Sequence, residues 1–201
     1  MLYTVADRIE WRAPTVKASK FIAICFPISS EQNARDELAT IRRQWPKASH
    51  HCWAWRLANP RVDRCADDGE PSGSAGSPIL SQLVANSMVD TAVVVTRWFG
   101  GTKLGIGGLS RAYRGACSGA LNASSMIACE PKQMWMVEYE HRDHQKVDRI
   151  LSRHDAKSIS AEFDVKARRV VELSPGCVND VKGAIADATS GRAVCSIFVG
   201  N

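Results

Sequence analysis

Two short stretches of this chain carry residue types that can do chemistry. The first is an acidic turn, Asp67-Asp68-Gly69-Glu70-Pro71-Ser72-Gly73-Ser74-Ala75-Gly76. Asp67, Asp68 and Glu70 could hold Mg²⁺ as oxygen ligands, or act as a general acid and base if burial split their pKa values. The second runs Thr96-Arg97-Trp98-Phe99-Gly100-Gly101-Thr102-Lys103-Leu104-Gly105-Ile106-Gly107-Gly108-Leu109, with Arg111 and Arg114 just beyond. Backbone N–H groups at a helix N-terminus bind anions, and glycine lets the ligand come close. Arg97, Lys103, Arg111 and Arg114 are then candidate contacts to an anion or nucleic acid. Gly100, Gly101, Gly105, Gly107 and Gly108 would form the cradle. Eight of the 14 glycines in the chain fall between Asp67 and Arg114, a density that concerns positive φ or a close approach to the main chain.

Each stretch also has a plainer reading. Gly105-Ile106-Gly107-Gly108 does not fit G-x-G-x-x-G, and no Gly-Lys-Ser/Thr is present, so neither standard nucleotide fingerprint applies. The glycines could serve only tight helix–strand packing. The acids could sit in a turn held by Asx-type hydrogen bonds, its backbone fixed by Gly69 and Pro71-Ser72-Gly73. In a third reading the acids pair with the basic loop and cross-link the two stretches. That reading is preferred, because both motifs otherwise carry unexplained charge. Cys52 beside His50 and His51 invites a thiol nucleophile. On a strand His50 and Cys52 share a face while His51 points away, and a packed Cys is the commoner outcome. No G-x-S-x-G is present. No residue is assigned a catalytic role, and no metal or cofactor is expected.

Charge is unevenly placed. Residues 1–129 carry 15 Lys/Arg against 10 Asp/Glu, and residues 130–201 carry 11 of each, so the net +5 belongs to the first part. No Asp or Glu occurs from Thr91 to Cys129, whereas Arg97, Lys103, Arg111 and Arg114 do. A locally basic surface suits an anionic partner such as RNA. The seven cysteines show no CxxC pair and lie among apolar neighbours, which reads as reduced thiols of a cytoplasmic protein. Asp7, Arg8, Glu10 and Arg12 break any signal-peptide core. No apolar run approaches the roughly 18 residues of a membrane span.

The elements that must position these residues follow from periodicity. Residues 3–12 alternate weakly, as an edge strand would. Phe21 to Phe26 reads as a buried strand. Ser29 or Ser30 caps a helix carrying Ala34, Leu38, Ile41 and Trp45. His50 to Leu57 alternates like a strand, with Cys52, Ala54 and Arg56 on one side. Ser74 to Met88 is expected to be helical, with Ile79, Leu83 and Val84 as candidate inward residues. Thr91 to Thr96 is a β-branched buried strand. After the glycine loop, Leu109, Ala112, Tyr113, Ala116 and Ala120 share one helix face, and Arg111 and Arg114 project from the other. A boundary falls near Ser124–Pro131, giving domains 1–127 and 128–201. The second reads β-α-β-β-α-β: strands at Trp135–Tyr139, Ser158–Phe163, Arg169–Leu173 and Val194–Val199, helices at His144–His154 and Cys177–Ala188. That order is the ferredoxin-like split unit.

The acidic turn together with the Thr96–Leu109 stretch resembles the signature of the IMPACT/YigZ family. Lys17-Ala18-Ser19-Lys20-Phe21 and His50-His51-Cys52-Trp53-Ala54-Trp55-Arg56 also fit its early motifs. The resemblance implies an α+β chain of two domains. The first would be similar to domain IV of elongation factor G and the second, ferredoxin-like, similar to its domain V. Eukaryotic relatives regulate translation in a starvation stress response, by competing for a ribosome-associated activator of a kinase. They do so with an extra N-terminal interaction domain that is not expected here. The resemblance implies a non-enzymatic binding protein whose basic face meets RNA or a ribosome-associated protein. The alternative is a phosphoester or peptide hydrolase, with Asp67, Asp68 and Glu70 as acids and the glycine loop as anion cradle. A protein-docking module anchored on Trp53, Trp55 or Trp98 is a third reading, though core packing is expected for at least two of those rings.

Overall fold

The computed structural model describes residues 1–130 and 132–198. The chain divides into two units, Met1–Cys129 and Glu130–Asn201. The break falls after Cys129 rather than after residue 127. The reason is that β7 (Met126–Cys129) pairs antiparallel with β1 (Leu2–Val5) and ties the end of the first unit to its start. Of the expected boundary stretch, Pro131 lies outside the described residues.

The first unit is built on a five-stranded antiparallel sheet. Its strands are β2 (Ile9–Val16), β3 (Ser19–Pro27), β4 (His50–Leu57), β5 (Val62–Ala66) and β6 (Thr91–Trp98), in the order β2-β3-β6-β4-β5. β6 is central and buried from Thr91 to Arg97, the place for its β-branched run. Side chains alternate across the sheet. Ile24 and Phe26 of β3 meet Ala34, Leu38 and Ile41 of α1 (Glu31–Gln44) on one face. Ala23 and Cys25 meet the opposite layer, made by Ile79 and Leu83 of α2 (Gly76–Ala85) and Leu109, Tyr113, Ala116 and Ala120 of α3 (Ile106–Ala123). One helix covers one face and two cover the other. Ser30 caps α1, accepting from the Asn33 N–H at 3.1 Å.

Two crossovers build this sheet. β3 and β4 run parallel on either side of β6 and are joined through α1. β5 and β6 run parallel on either side of β4 and are joined through α2. Because α1 and α2 lie on opposite faces, the two crossovers have opposite hands. One of them therefore departs from the right-handed rule for such connections.

Several expectations are adjusted. The 3–12 segment is two strands: β2 is the edge of the large sheet, while β1 leaves it to pair with β7. α2 is shorter than Ser74–Met88, because Asn86 and Ser87 turn the chain and Ser87 takes a positive φ. Val84 faces solvent, 49% exposed, and Leu80 packs in its stead. Trp55 is buried, while Trp53 and Trp98 are half-buried.

The second unit carries β8 (Gln133–Tyr139), α4 (His144–Arg153), β9 (Lys157–Phe163), β10 (Ala167–Leu173), α5 (Val178–Thr189) and β11 (Val194–Ile197). The antiparallel order β11-β8-β10-β9 is the ferredoxin-like arrangement. Val147 and Leu151 of α4 and Val181 and Ile185 of α5 pack on Val137, Tyr139 and Val171. The last strand is seen to Ile197, and Val199 lies outside the described residues. The chain is thus α+β with two units. Among the described residues no helix is long and apolar enough to cross a membrane.

Candidate functional site

The three acids of the turn have three different jobs. Asp67 closes the turn onto the start of α2. Its Oδ1 accepts from the N–H groups of Ala75 (2.9 Å) and Gly76 (2.8 Å), and its Oδ2 from that of Gly73 (2.8 Å). A carboxylate at a helix N-terminus satisfies orphan donors and complements the dipole. Partial burial opposes its ionisation, but the three backbone donors outweigh that and hold Asp67 below the usual carboxylate range. Asp68, at φ 45°, turns outward. It accepts from Arg42 Nη2 and from the His51 N–H, both at 2.6 Å. Its carbonyl lies 2.9 Å from His50 Nδ1. A carbonyl only accepts, so Nδ1 is the donor in this contact.

Glu70 is the acid that meets the basic stretch. It is 8% exposed, and Arg97 is 4% exposed. Glu70 Oε1 accepts from Arg97 Nη1 at 2.6 Å and from the Tyr113 hydroxyl at 2.7 Å. Arg97 Nη2 donates to Ser19 Oγ at 3.1 Å, and that oxygen also accepts from the Gly100 N–H at 3.2 Å. One hydrogen-bonded chain therefore joins α3, the acidic turn, β6, β3 and the glycine loop. Burial first, then the neighbouring Cys52 thiol and Glu70, push the Tyr113 hydroxyl far above its ordinary value, so it stays a donor.

This geometry corrects the expected cross-link in part. Glu70 pairs with Arg97, but Asp67 faces backbone and Asp68 faces Arg42. It also corrects the placement of Arg97 on an anion-binding surface. β6 alternates, so Arg97 shares the side of Val93 and Val95, under α3, and its two terminal nitrogens are committed to Glu70 and Ser19. Each carboxyl of the turn is engaged, Asp67 by backbone N–H groups, Asp68 by Arg42 and the His51 N–H, and Glu70 by Arg97 and Tyr113. The thiol is engaged as well. Cys52 Sγ donates to the Asp67 carbonyl at 2.9 Å, and burial pushes its pKa up to about 12.

The remaining basic residues do reach the surface. Lys103, Arg111 and Arg114 are exposed. α3 begins at Ile106, so Gly107 and Gly108 form its first turn rather than part of the loop, and Gly105 precedes them at φ 71° with no side-chain cap. Gly101 tops the loop at φ 86°. Gly100 lies against the β2–β3 turn, where an added Cβ would fall 2.1 Å from the Ala18 carbonyl carbon; no other residue fits. That turn is Lys17-Ala18, with φ 45° and 63°. Two-residue hairpins of this type favour glycine or asparagine at such angles. The contact brings in a residue that sequence reasoning placed only in a motif. Lys17 and Arg111 flank one shallow depression of about 250 Å³ with Leu104 and Gly108. Nothing in a Lys-Ala pair signals a left-handed turn, so only the close approach of Gly100 reveals it. Among the described residues Lys17, Lys20, Lys103, Arg111 and Arg114 make no ion pair, whereas Arg8, Arg12, Arg35, Arg42, Arg56 and Arg97 each face a carboxylate. A cleft of about 360 Å³ lies beside the Glu70–Arg97 pair, lined by both of these residues with His50, Phe99, Lys103 and Ile106 among others.

Two outcomes follow from the buried network. Arg97→Ala leaves the Glu70 charge buried and unpaired, and is expected to cost about 3–5 kcal/mol in urea unfolding. Glu70→Gln with Arg97→Met is expected to cost less than the sum of the single changes; additive losses would mean that the pair is not coupled. Asp67, depressed in the folded state, stabilises the fold in its ionised form. That contribution is complete above its unfolded pKa and is lost as pH falls below about 4 towards the folded value. Asp67→Asn is therefore expected to lower stability at neutral pH and to flatten the acid limb of a stability–pH curve.

The same stretches carry the likeness to known proteins. The family model described as the Impact N-terminal domain matches residues 17–121, from the Lys17 turn to beyond Arg114. The IMPACT family member YigZ of Escherichia coli (strain K12) is 30% identical over 179 residues, covering 88% of this chain and 88% of that protein. The IMPACT family member YvyE of Bacillus subtilis (strain 168) is 44% identical over 113 residues, 56% of this chain and 52% of its own. A crystal structure titled as that of a hypothetical protein matches with a TM-score of 0.82 at 26% identity, covering 100% of this chain and 98% of the other. With a domain model over half its length and a relative matched across most of both chains, this chain belongs to the IMPACT/YigZ family.

Proposed function

We propose that this chain is a non-enzymatic binding protein linked to the regulation of translation, and that its first unit holds RNA on a basic, glycine-rich face. The observation that carries the reading is a set of cations without an ion pair among the described residues, Lys17, Lys103 and Arg111 with Arg114 about two turns into α3, beside an α3 start with no side-chain cap there. Helix N-termini favour phosphate, and cations without carboxylate partners are available to it. Arg97 takes no direct part; it holds the loop in place through Ser19. The link to translation rests on family membership, since eukaryotic relatives act there. RNA is favoured over a ribosome-associated protein because residues 91–129 contain no acid to complement a mixed-charge protein surface.

The test is equilibrium binding of a single-stranded RNA oligomer across a salt series. With four phosphate contacts, log K is expected to fall against log salt with a slope of about −2.8. Lys103→Ala with Arg111→Ala is expected to weaken binding and to reduce that slope by about 1.4. No binding at low salt, or an unchanged slope in the double variant, would contradict the proposal.

A further inference from the structure

An α-helix is about 10 Å across and strands lie about 4.8 Å apart, so one helix covers roughly two strands. α1 alone covers its face of a five-stranded sheet, above Ile24, Phe26, Trp55 and Val94. The corner made by β2, β3 and the end of β6 is left open. Arg12 pairs with Ile22 and Lys20 with Trp98 across the strands, and alternation sends all four side chains to that corner. With Trp45 at the end of α1 and Phe99 after β6, they line a groove of about 710 Å³. That volume lies within the roughly 300–1,000 Å³ usual for small-ligand sites.

The chemistry of the lining is specific. It contains two cations and no Asp or Glu. Lys20 makes no ion pair among the described residues. Arg12 meets Glu10 at 3.3 Å, but its side chain is 80% exposed, so that contact holds it weakly. Each of the two rings has a partner. Trp98 stands edge-on to Trp45, with centroids 5.9 Å apart. The Arg97 guanidinium lies 5.5 Å from the Phe99 ring centroid, while Phe99 remains 50% exposed. Partly exposed aromatic rings with cations beside them are the parts of a stacking platform for unpaired bases. An acidic peptide would use the cations but not the rings, and an apolar peptide the reverse.

We propose that this groove receives an unpaired base of single-stranded RNA, stacked on Phe99 and Trp98, with Lys20 and Arg12 at the flanking phosphates. The proposal rests on the RNA reading above and says which part of the RNA is held where. Ala18 lines the groove and Lys17 the neighbouring depression, so the Lys17-Ala18 turn joins the two and a single strand can cross it.

The full chain is titrated at low salt with an oligouridylate and with an oligomer of equal length whose riboses lack bases. Tryptophan emission and anisotropy are read together. The base-bearing oligomer is expected to bind at least about tenfold tighter and to quench tryptophan emission. Phe99→Ala is expected to lose about tenfold for that oligomer alone, and Phe99→Tyr to retain wild-type affinity. Equal affinity of the wild-type chain for the two oligomers overturns the groove while leaving the Lys103 and Arg111 face standing. Binding of neither oligomer overturns both. Unchanged oligouridylate affinity in a folded Phe99→Ala variant that loses nuclease-resistant capture of ribosomes assigns the groove to a protein, and also overturns it.

Discussion

Glu70 and Arg97 meet at 2.6 Å in a place where little of either reaches water. Taking two charges out of water costs several kcal/mol each, and their attraction offsets that only when the other donors and acceptors are engaged. Here Tyr113 engages Glu70 Oε1 and Ser19 engages Arg97 Nη2, while Arg97 Nε has no hydrogen-bond partner among the described residues. The pair therefore depends on four distant segments arriving together, and those segments are held by it in turn. Ser19 passes the constraint to Gly100, and Gly100 presses on the Lys17-Ala18 turn. The charges of the family signature divide accordingly. Glu70, Arg97 and Asp67 are architectural, and Lys17, Lys103, Arg111 and Arg114 make no ion pair among the described residues.

Rigidity is the gain from such a network. Lys17, Ala18 and Asp68 all sit at positive φ, and non-glycine residues persist there when the surroundings over-determine them. A surface assembled in advance loses less entropy on binding than one that must order itself. The same network holds the ring of Phe99 over Arg97, so an internal ion pair shapes the aromatic corner as well as the basic face.

Much of this was legible from residues alone. The β6 run, the Ser30 cap and the β-α-β-β-α-β order each follow from local pattern, and local pattern is what a single sequence records. The direction of Arg97 was not legible. β6 is buried on both faces, so its apolar run shows no alternation to say which side residue 97 takes. The β1–β7 pairing was hidden because it joins the two ends of the first unit. The groove was hidden because it arises from a helix that is missing over part of one sheet face. Asp67 and Asp68 looked like partners for the basic loop because charge was compared along the sequence. In space, nearer donors were available in the backbone of α2 and in Arg42.

The central claim is that the signature builds one preformed RNA-binding face, with its acids inside and its free cations outside. Backbone amide shifts in a nitrogen-15 labelled chain, followed during titration with a single-stranded RNA oligomer, test it most directly. The account predicts perturbations concentrated at Lys17–Lys20 and Phe99–Arg111, with little change at Gly73, Ala75 and Gly76, whose N–H groups are already bound to Asp67. Perturbations confined to residues 132–198, or centred on the Asp67 turn, would contradict it.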